Sequence, residues 1–128
     1  MSAYRAVVLE HFRHPRNRGP LVGATASEEG ANPLCGDRIR VELRAEGGRI
    51  LDARFTADAC ALCIAAASLL TEGARGAALA DTPRFDLAWM VAALEGAPPP
   101  ARLRCVTLPL DTFHRAVAAA YRLTGGST

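Results

Sequence analysis

The chain has 128 residues, half of them apolar and few of them aromatic, and a formal net charge of +2. This length suffices for a single domain, residues 1–128, whose hydrophobic core needs no disulfides. The small charge argues against a nucleic-acid partner, and the absence of lysine excludes Schiff-base chemistry and the lysine of a phosphate-binding P-loop.

No apolar stretch is typical of a secretion signal or of a membrane span. The longest apolar run, Ala59 to Leu70, is too short to cross a bilayer. We therefore expect a cytoplasmic protein with no membrane contact. In a reducing cytosol, the four cysteines indicate metal-binding, catalytic or buried thiols rather than disulfides.

The first predicted element is a helix that begins near Ser2 and ends before Pro15. Its apolar and aromatic positions recur at helical spacing: Tyr4, Val7, Val8, His11 and Phe12. Residues 16–20 are expected to form an ordered turn. A short strand is predicted between Leu21 and Ala31.

The clearest periodicity lies between residues 38 and 57, where apolar and charged residues alternate. This pattern predicts two strands, each with one solvent-exposed face, joined by a tight hairpin turn at Gly47-Gly48. The residues predicted to share the inner face are Ile39, Val41, Leu43 and Ala45, then Leu51, Ala53, Phe55 and Ala57. The first half of the chain is therefore predicted to form a small antiparallel sheet.

From Cys60 onward the apolar pattern takes a helical period. Cys60 is predicted to begin one helix, and Thr82-Pro83 a second, largely buried helix that runs through Leu94. Residues 96–100 should form a stiff proline loop, and Pro109 should open the last helix. This order predicts an α+β fold, in which a sheet of about three strands is packed on one face by an N-terminal helix and a C-terminal set of helices.

Four side chains are expected to converge on one metal or iron–sulfur site: Cys35, Asp37, Cys60 and Cys105. Cys35 lies in a Pro/Gly loop, a poor place for a packing cysteine, and Gly36 lets Cys35 and Asp37 face a common point. The helix that begins at Cys60 would stabilise a thiolate there, and neighbouring arginines would do so at Cys105. Judged by spacing alone, Asp37 could also be a solvated loop acid.

The remaining cysteine and the histidines are predicted to have no ligand role. Cys63 forms a Cys-x-x-Cys pair with Cys60 but falls among small apolar residues. We therefore predict a buried thiol that metal binding does not need. His11, His14 and His114 have no cysteine close in sequence, so we predict surface or interface positions for them.

Three thiolates and one carboxylate form a four-coordinate set that would take zinc or an iron–sulfur cluster. We predict that the four residues lie close enough to share one ion. The oxygen ligand would make a cluster more labile than four thiolates would. Such lability suits a protein that hands its cluster on.

The chain resembles the U-type iron–sulfur cluster scaffolds (IscU, SufU and the N-terminal part of NifU) over nearly its full length. The matching segments are Tyr4 to Gly19, including His11-Phe12 and Pro15-Arg16-Asn17; Cys35-Gly36-Asp37; Asp52-Ala53-Arg54-Phe55; Cys60 with Ile64-Ala65 and Ser68-Leu69; and Arg102-Leu103-Arg104-Cys105. The resemblance implies an α+β scaffold that binds zinc or a [2Fe–2S] cluster through Cys35, Asp37, Cys60 and Cys105. It also implies that persulfide sulfur comes from a cysteine desulfurase, with Cys35 as the candidate acceptor and Cys105 as the alternative. The finished cluster would then pass to apo iron–sulfur proteins.

Two subfamilies are compatible with the sequence. IscU-like members have histidine before the last ligand cysteine, where this chain has Arg104. SufU-like members carry an insertion between the last two ligand cysteines, and the stretch from Cys60 to Cys105 is too short to hold it. We therefore weigh a scaffold against a zinc-dependent sulfurtransferase that relays persulfide sulfur without building a cluster. A zinc-stabilised domain without sulfur chemistry is the third alternative. In the first two cases the protein is a scaffold or sulfur acceptor rather than a turnover enzyme.

Overall fold

The computed structural model describes residues 5–34 and 36–123, and the elements follow the predicted order of helix, sheet and helices. The helices and strands are α1 (Ala6–Arg13), β1 (Ala26–Asn32), β2 (Asp37–Glu46), β3 (Arg49–Asp58), α2 (Ala61–Ala74), α3 (Leu87–Ala93) and α4 (Leu103–Leu123). Short 3-10 helices, Leu79–Arg84 and Pro100–Arg102, precede α3 and α4. The strands form one antiparallel sheet in the order β1-β2-β3. The predicted α+β fold is confirmed.

β2 and β3 form the hairpin that the alternating pattern predicted. Val41 lies opposite Phe55 in the register, and both side chains are buried. Gly47 and Gly48 connect the strands with φ angles of 60° and 76°. Two consecutive positive φ angles match the twist of the flanking strands, and glycine adopts them without steric cost.

An irregularity in this hairpin changes which residue of β3 faces the core. The register shifts between Arg44 and Ala45, so that Ala45 pairs with Ile50. Ile50 is therefore buried and Leu51 exposed, so the predicted inner position of Leu51 is wrong. A bulge adds one residue to one strand, and strict alternation of side chains does not reveal where it occurs.

β1 overlaps the short strand that was predicted before Asn32. The segment that leads into β1 packs along β2. The Leu21 N–H donates to Glu42 Oε1 at 3.3 Å, and the Thr25 N–H donates to the Leu43 carbonyl at 2.7 Å. The segment before β1 thus covers Glu42, which explains why Glu42 is buried although its side chain is charged.

The C-terminal helices pack on the sheet, as predicted, and enclose the core. The largest buried side chains are Phe55, Phe85, Phe113, Leu43, Ile50, Leu70 and Met90. α4 lies so close to β1 that a Cβ atom at Gly30 would collide with the Thr112 hydroxyl. Arg115 Nη2 donates to the Glu29 carbonyl at 3.0 Å, which partly satisfies the exposed edge of β1.

The predicted helix start at Thr82-Pro83 is wrong. Both residues lie in the 3-10 helix, where Thr82 Oγ1 donates to the Leu79 carbonyl. The helix α3 begins after Asp86, whose Oδ1 accepts the Trp89 N–H at 2.8 Å and so caps the first turn. α3 is also less buried than predicted, because Met90 faces the core while Leu87 lies 39% exposed.

The last helix begins earlier than predicted. α4 starts at Leu103 and contains Pro109 in its interior, so Cys105 lies in its first turn. Proline has no N–H to donate to the carbonyl four residues earlier, and this normally ends a helix. Burial of Val106 and Leu110, on either side of the proline, favours continuation. No helix in residues 5–34 and 36–123 is both long enough and apolar enough to cross a membrane.

The histidines were predicted to lie at surface or interface positions; His14 is exposed, whereas His11 is buried within the fold. His11 is buried between α1 and α2, with Nδ1 2.7 Å from Ser68 Oγ. Burial, and secondly the charge of Arg16, lowers the pKa of His11 below its usual 6.5. His114 is half-buried, with Nε2 2.7 Å from the Phe85 carbonyl.

Candidate metal centre

Three of the four predicted ligand residues lie together at one end of the sheet. Asp37 is the first residue of β2, Cys60 directly precedes α2, and Cys105 lies in the first turn of α4. One carboxylate oxygen and the two Sγ atoms all lie within 4.8 Å of one another. The packing of three element ends thus brings together side chains that are distant in sequence.

Cys35 lies outside the described residues, and its ligand role stays a prediction. Its neighbours in the chain are Leu34, which is 87% exposed, and Gly36, whose φ of 77° is in the left-handed region. Gly36 has no neighbouring atom that a Cβ would meet within 4 Å, so the backbone angle alone favours glycine at this position.

Asp37 is buried, with only 4% of its surface exposed, so the alternative of a solvated loop acid is wrong. Its Oδ1 accepts a hydrogen bond from the Cys60 N–H at 3.1 Å. Its Oδ2 is buried without a hydrogen-bond partner among the described residues. A buried polar atom without a partner is costly, and a cation beside the two sulfur atoms would satisfy it.

The thiols next to Asp37 are compatible with metal binding. Cys60 is half-buried at the N-terminus of α2, where the helix dipole favours an anion, and Cys105 is buried in the first turn of α4. Each zinc–sulfur bond is about 2.3 Å long, so two sulfur ligands of one tetrahedral zinc ion lie about 3.8 Å apart. The donor atoms lie within 4.8 Å of one another, so they can close on one ion after side-chain shifts of at most about 1 Å.

The site opens into a pocket of about 590 Å³. The residues that line this pocket are Asn32, Leu34, Asp37, Cys60, Pro100, Ala101, Arg102, Arg104 and Cys105. Arg102 and Arg104 are exposed on its wall and offset part of the negative charge that thiolates and a carboxylate would bring. The pocket gives an incoming reactant access to the two thiols.

Cys63 is fully buried in α2 and does not belong to the Asp37, Cys60 and Cys105 group. The predicted burial is confirmed, whereas its dispensability stays a prediction. No histidine joins the group within the described part of the chain.

Sequence reasoning assigned no role to Asn32, which the structure places in the pocket. The side chain is buried, and its Oδ1 accepts the Leu34 N–H at 3.2 Å. An asparagine that precedes a Pro-x-Cys-Gly segment is a signal for such a turn, because asparagine commonly binds the backbone two residues further on.

Comparison with known proteins identifies the family. The sequence model of the NifU-like N terminal domain matches residues 3–124. The chain is 39% identical to the Bifunctional protein NifU/MnmA of Rubrobacter xylanophilus over 88% of its own length but only 23% of that protein. It is 31% identical to the Zinc-dependent sulfurtransferase SufU of Bacillus subtilis, covering 91% of this chain and 90% of that protein.

Other relatives are named for cluster assembly rather than for sulfur transfer. The chain is 31% identical to the Iron-sulfur cluster assembly scaffold protein IscU 1 of Archaeoglobus fulgidus, covering 95% of this chain and 79% of that protein. A crystal structure of a SufU-type protein from Fervidobacterium islandicum shares the fold, with a TM-score of 0.74 and 22% identity over 89% of this chain and 96% of that chain. The match over residues 3–124, together with these relatives, shows that the chain belongs to the NifU-like N-terminal domain family, which includes IscU and SufU proteins.

Proposed function

We propose that the protein is a cytoplasmic scaffold for iron–sulfur cluster assembly. In this proposal Cys35, Asp37, Cys60 and Cys105 hold a [2Fe–2S] cluster as cargo, sulfur arrives as persulfide from a cysteine desulfurase, and the cluster passes to apo-proteins. The observation that carries the proposal is the buried Asp37 Oδ2, which lacks a hydrogen-bond partner among the described residues and lies in a group with the thiols of Cys60 and Cys105.

The open pocket supports a transient cargo rather than a permanent structural ion. Structural zinc sites are usually closed by four protein ligands. Here the donor atoms face a pocket of about 590 Å³, which leaves room for a polynuclear cluster and for the group that delivers or accepts it. The aromatic core around Phe55 and Phe113 packs without the site, so the fold does not depend on a metal in the way a small zinc finger does.

The mixed donor set supports release as well as binding. An oxygen ligand binds iron and zinc less firmly than a thiolate does, because thiolates are the softer ligands that these sites prefer. Asp37 is also tethered through Oδ1 to the Cys60 N–H. We infer that Asp37 stays near the site when its metal bond opens, so that cargo can leave without loss of the pocket's shape.

Sulfur delivery follows thiol–disulfide exchange chemistry. A thiolate of this chain, with Cys35 as first candidate and Cys105 as alternative, attacks the outer sulfur of the desulfurase persulfide. One S–S bond forms on this chain, the donor's S–S bond breaks, and the donor cysteine leaves as a thiolate. Conversion of the bound outer sulfur to sulfide then requires two electrons from a thiol or ferredoxin-type reductant.

Anaerobic reconstitution with ferrous iron, sulfide and dithiothreitol tests the proposal. The parent protein should develop the visible absorption of an iron–sulfur cluster and transfer it to an apo-ferredoxin. Cys60→Ser and Cys105→Ser should lose the cluster. Cys63→Ala serves as the matched control, because it removes a thiol from α2, the helix that Cys60 directly precedes, but outside the site. Cluster formation in both serine variants would contradict the proposal.

A zinc-dependent sulfurtransferase is the second candidate, because the chain is similar to a protein of that name over 90% of that protein's length. The donor group is also compact enough for a single ion. In this case one ligand cysteine, Cys35 first, must leave the zinc to accept the persulfide sulfur. Retention of zinc during reconstitution, with a persulfide detected by mass spectrometry and no cluster absorption, would favour this candidate over the scaffold.

A further inference from the structure

Two thiols of the metal centre lie close enough to react with each other when no metal holds them. Cys60 Sγ and Cys105 Sγ belong to a group of donor atoms that all lie within 4.8 Å of one another. A disulfide bond is about 2.05 Å long, so the two sulfur atoms must approach by less than about 3 Å. A change of χ1 rotamer at one cysteine moves its Sγ by about 3 Å. The two thiols are therefore within reach of a shared disulfide bond.

Both thiols can be reached by a sulfur donor from the same side. Cys60 and Cys105 line the pocket of about 590 Å³, although Cys60 is half-buried and Cys105 is only 5% exposed. Cys60 precedes the first turn of α2 in an extended main-chain conformation, so the helix does not confine its side chain. A persulfide that enters the pocket thus meets two thiols rather than one.

The surroundings of Cys60 favour the thiolate, which is the form that attacks a sulfur–sulfur bond. The N-terminus of the 14-residue helix α2 stabilises negative charge there. Arg102 and Arg104 add positive charge on the wall of the pocket. The same positive charge favours a hydrosulfide anion as the leaving group.

We propose that Cys60 and Cys105 form an internal reductant that releases sulfide from a bound persulfide. With the persulfide on Cys105, the Cys60 thiolate attacks the inner sulfur. The Cys60–Cys105 disulfide forms, the bond between the inner and outer sulfur breaks, and the outer sulfur leaves as hydrosulfide with the electron pair of that bond. The two thiols thus supply the two electrons, and a dithiol reductant must reduce the disulfide before the next round. This inference rests on the proposed function and names the source of the electrons that sulfide formation requires.

Single-turnover sulfide release from the metal-free chain tests this step. Cys35→Ser serves as the background, because the fully buried Cys63 then leaves only the pair to react. One equivalent of glutathione persulfide is added anaerobically in EDTA, and sulfide is measured as methylene blue. The background should release about one sulfide per chain, at a rate independent of protein concentration, because the resolving thiol belongs to the same chain. Adding Cys60→Ser or Cys105→Ser should lower the release at least about tenfold.

Tryptic peptide mapping without reductant identifies the bond that forms. Cleavage after arginine leaves Cys60 and Cys63 in residues 55–75 and Cys105 in residues 105–115, so the expected disulfide joins two peptides. A disulfide between Cys60 and Cys63 would stay within one peptide and would overturn the role of Cys105. Cys63→Ala in the same background is the matched control and should release as much sulfide as the background does.

The outcomes separate this inference from the proposed function. Reconstitution with iron and inorganic sulfide does not pass through a persulfide. A parent that forms the cluster, together with a Cys35→Ser background that keeps its persulfide or takes up none, would therefore overturn this inference alone. Undiminished sulfide release after Cys60→Ser would do the same. A parent that forms no cluster and takes up no persulfide would overturn the proposed function and this inference with it.

Discussion

Replacing Asp37 with alanine should separate what this carboxylate does for folding from what it does for metal binding. In the described chain its Oδ1 accepts one hydrogen bond, from the Cys60 N–H, and its buried Oδ2 accepts none. Loss of a hydrogen bond to a charged group costs about 1.5–3 kcal/mol, and removal of an unsatisfied buried oxygen returns about 1–3 kcal/mol. The two effects offset each other, so the stability of the metal-free variant should lie within about 2 kcal/mol of that of the parent.

Added metal should distinguish the variant from the parent. A metal ion at a hundredfold excess over its Kd raises the free energy of unfolding by about 2.7 kcal/mol, because it binds the folded chain only. Asp37→Ala should lose most of this gain, since one of the proposed ligands is missing. For a chain of this size each kcal/mol moves the unfolding midpoint by about 4 °C. The variant should thus melt within about 8 °C of the parent in chelator, and zinc should raise its midpoint by much less than the roughly 11 °C expected for the parent.

Thermal unfolding followed by circular dichroism, in EDTA and in excess Zn²⁺, measures both effects. Asp58→Ala is the matched control, because this aspartate ends β3 but is exposed and lies outside the donor group. The reasoning would be refuted if metal-free Asp37→Ala melted well below the parent while zinc raised its midpoint as much as it raises that of the parent. Asp37 would then be a structural acid rather than a ligand.

The remaining predictions concern the fourth ligand, the buried cysteine and the buried histidine. Asp37→Cys should hold zinc more tightly in competition with a chelator and transfer its cluster to apo-ferredoxin more slowly, because a fourth thiolate closes the site. An unchanged zinc affinity together with an unchanged transfer rate would reject a ligand role for Asp37. Cys63→Ala should change the free energy of unfolding by at most about 1 kcal/mol and leave the metal content intact, so a loss of metal in this variant would make Cys63 a ligand. Burial and the Arg16 charge lower the pKa of His11, so the unfolded chain takes up this proton at a higher pH than the folded chain does. The free energy of unfolding should therefore fall as the pH drops below 6.5, with a slope of at most about 1.4 kcal/mol per pH unit from this group. Denaturant titrations should show a smaller fall for His11→Asn, whose amide can still bond Ser68.

Local sequence patterns predicted the elements whose structure depends on neighbouring residues. The alternation of residues 38–57 predicted the β2–β3 hairpin, and the change of period at Cys60 predicted the start of α2. Helix ends were less predictable, because several capping signals compete. Asp86 rather than Thr82 caps α3, and burial on either side of Pro109 outweighs the missing N–H of the proline. The sequence alone does not show which of these signals sets the end of a helix, because the choice depends on packing energies in the tertiary structure.

The sequence by itself determined which donor atoms are available: a thiol at the start of a helix, a thiol between the proline loop and the last helix, a thiol in a glycine loop, and one carboxylate beside that loop. Only the tertiary structure decided that Asp37, Cys60 and Cys105 meet within 4.8 Å and that Asp37 is buried rather than solvated. It also decided that His11 is buried between two helices. Periodicity reports which face of an element is apolar, but burial and convergence depend on how α2 and α4 pack against the sheet. Contacts between residues far apart in the chain leave no periodic signal, because they arise from packing between elements.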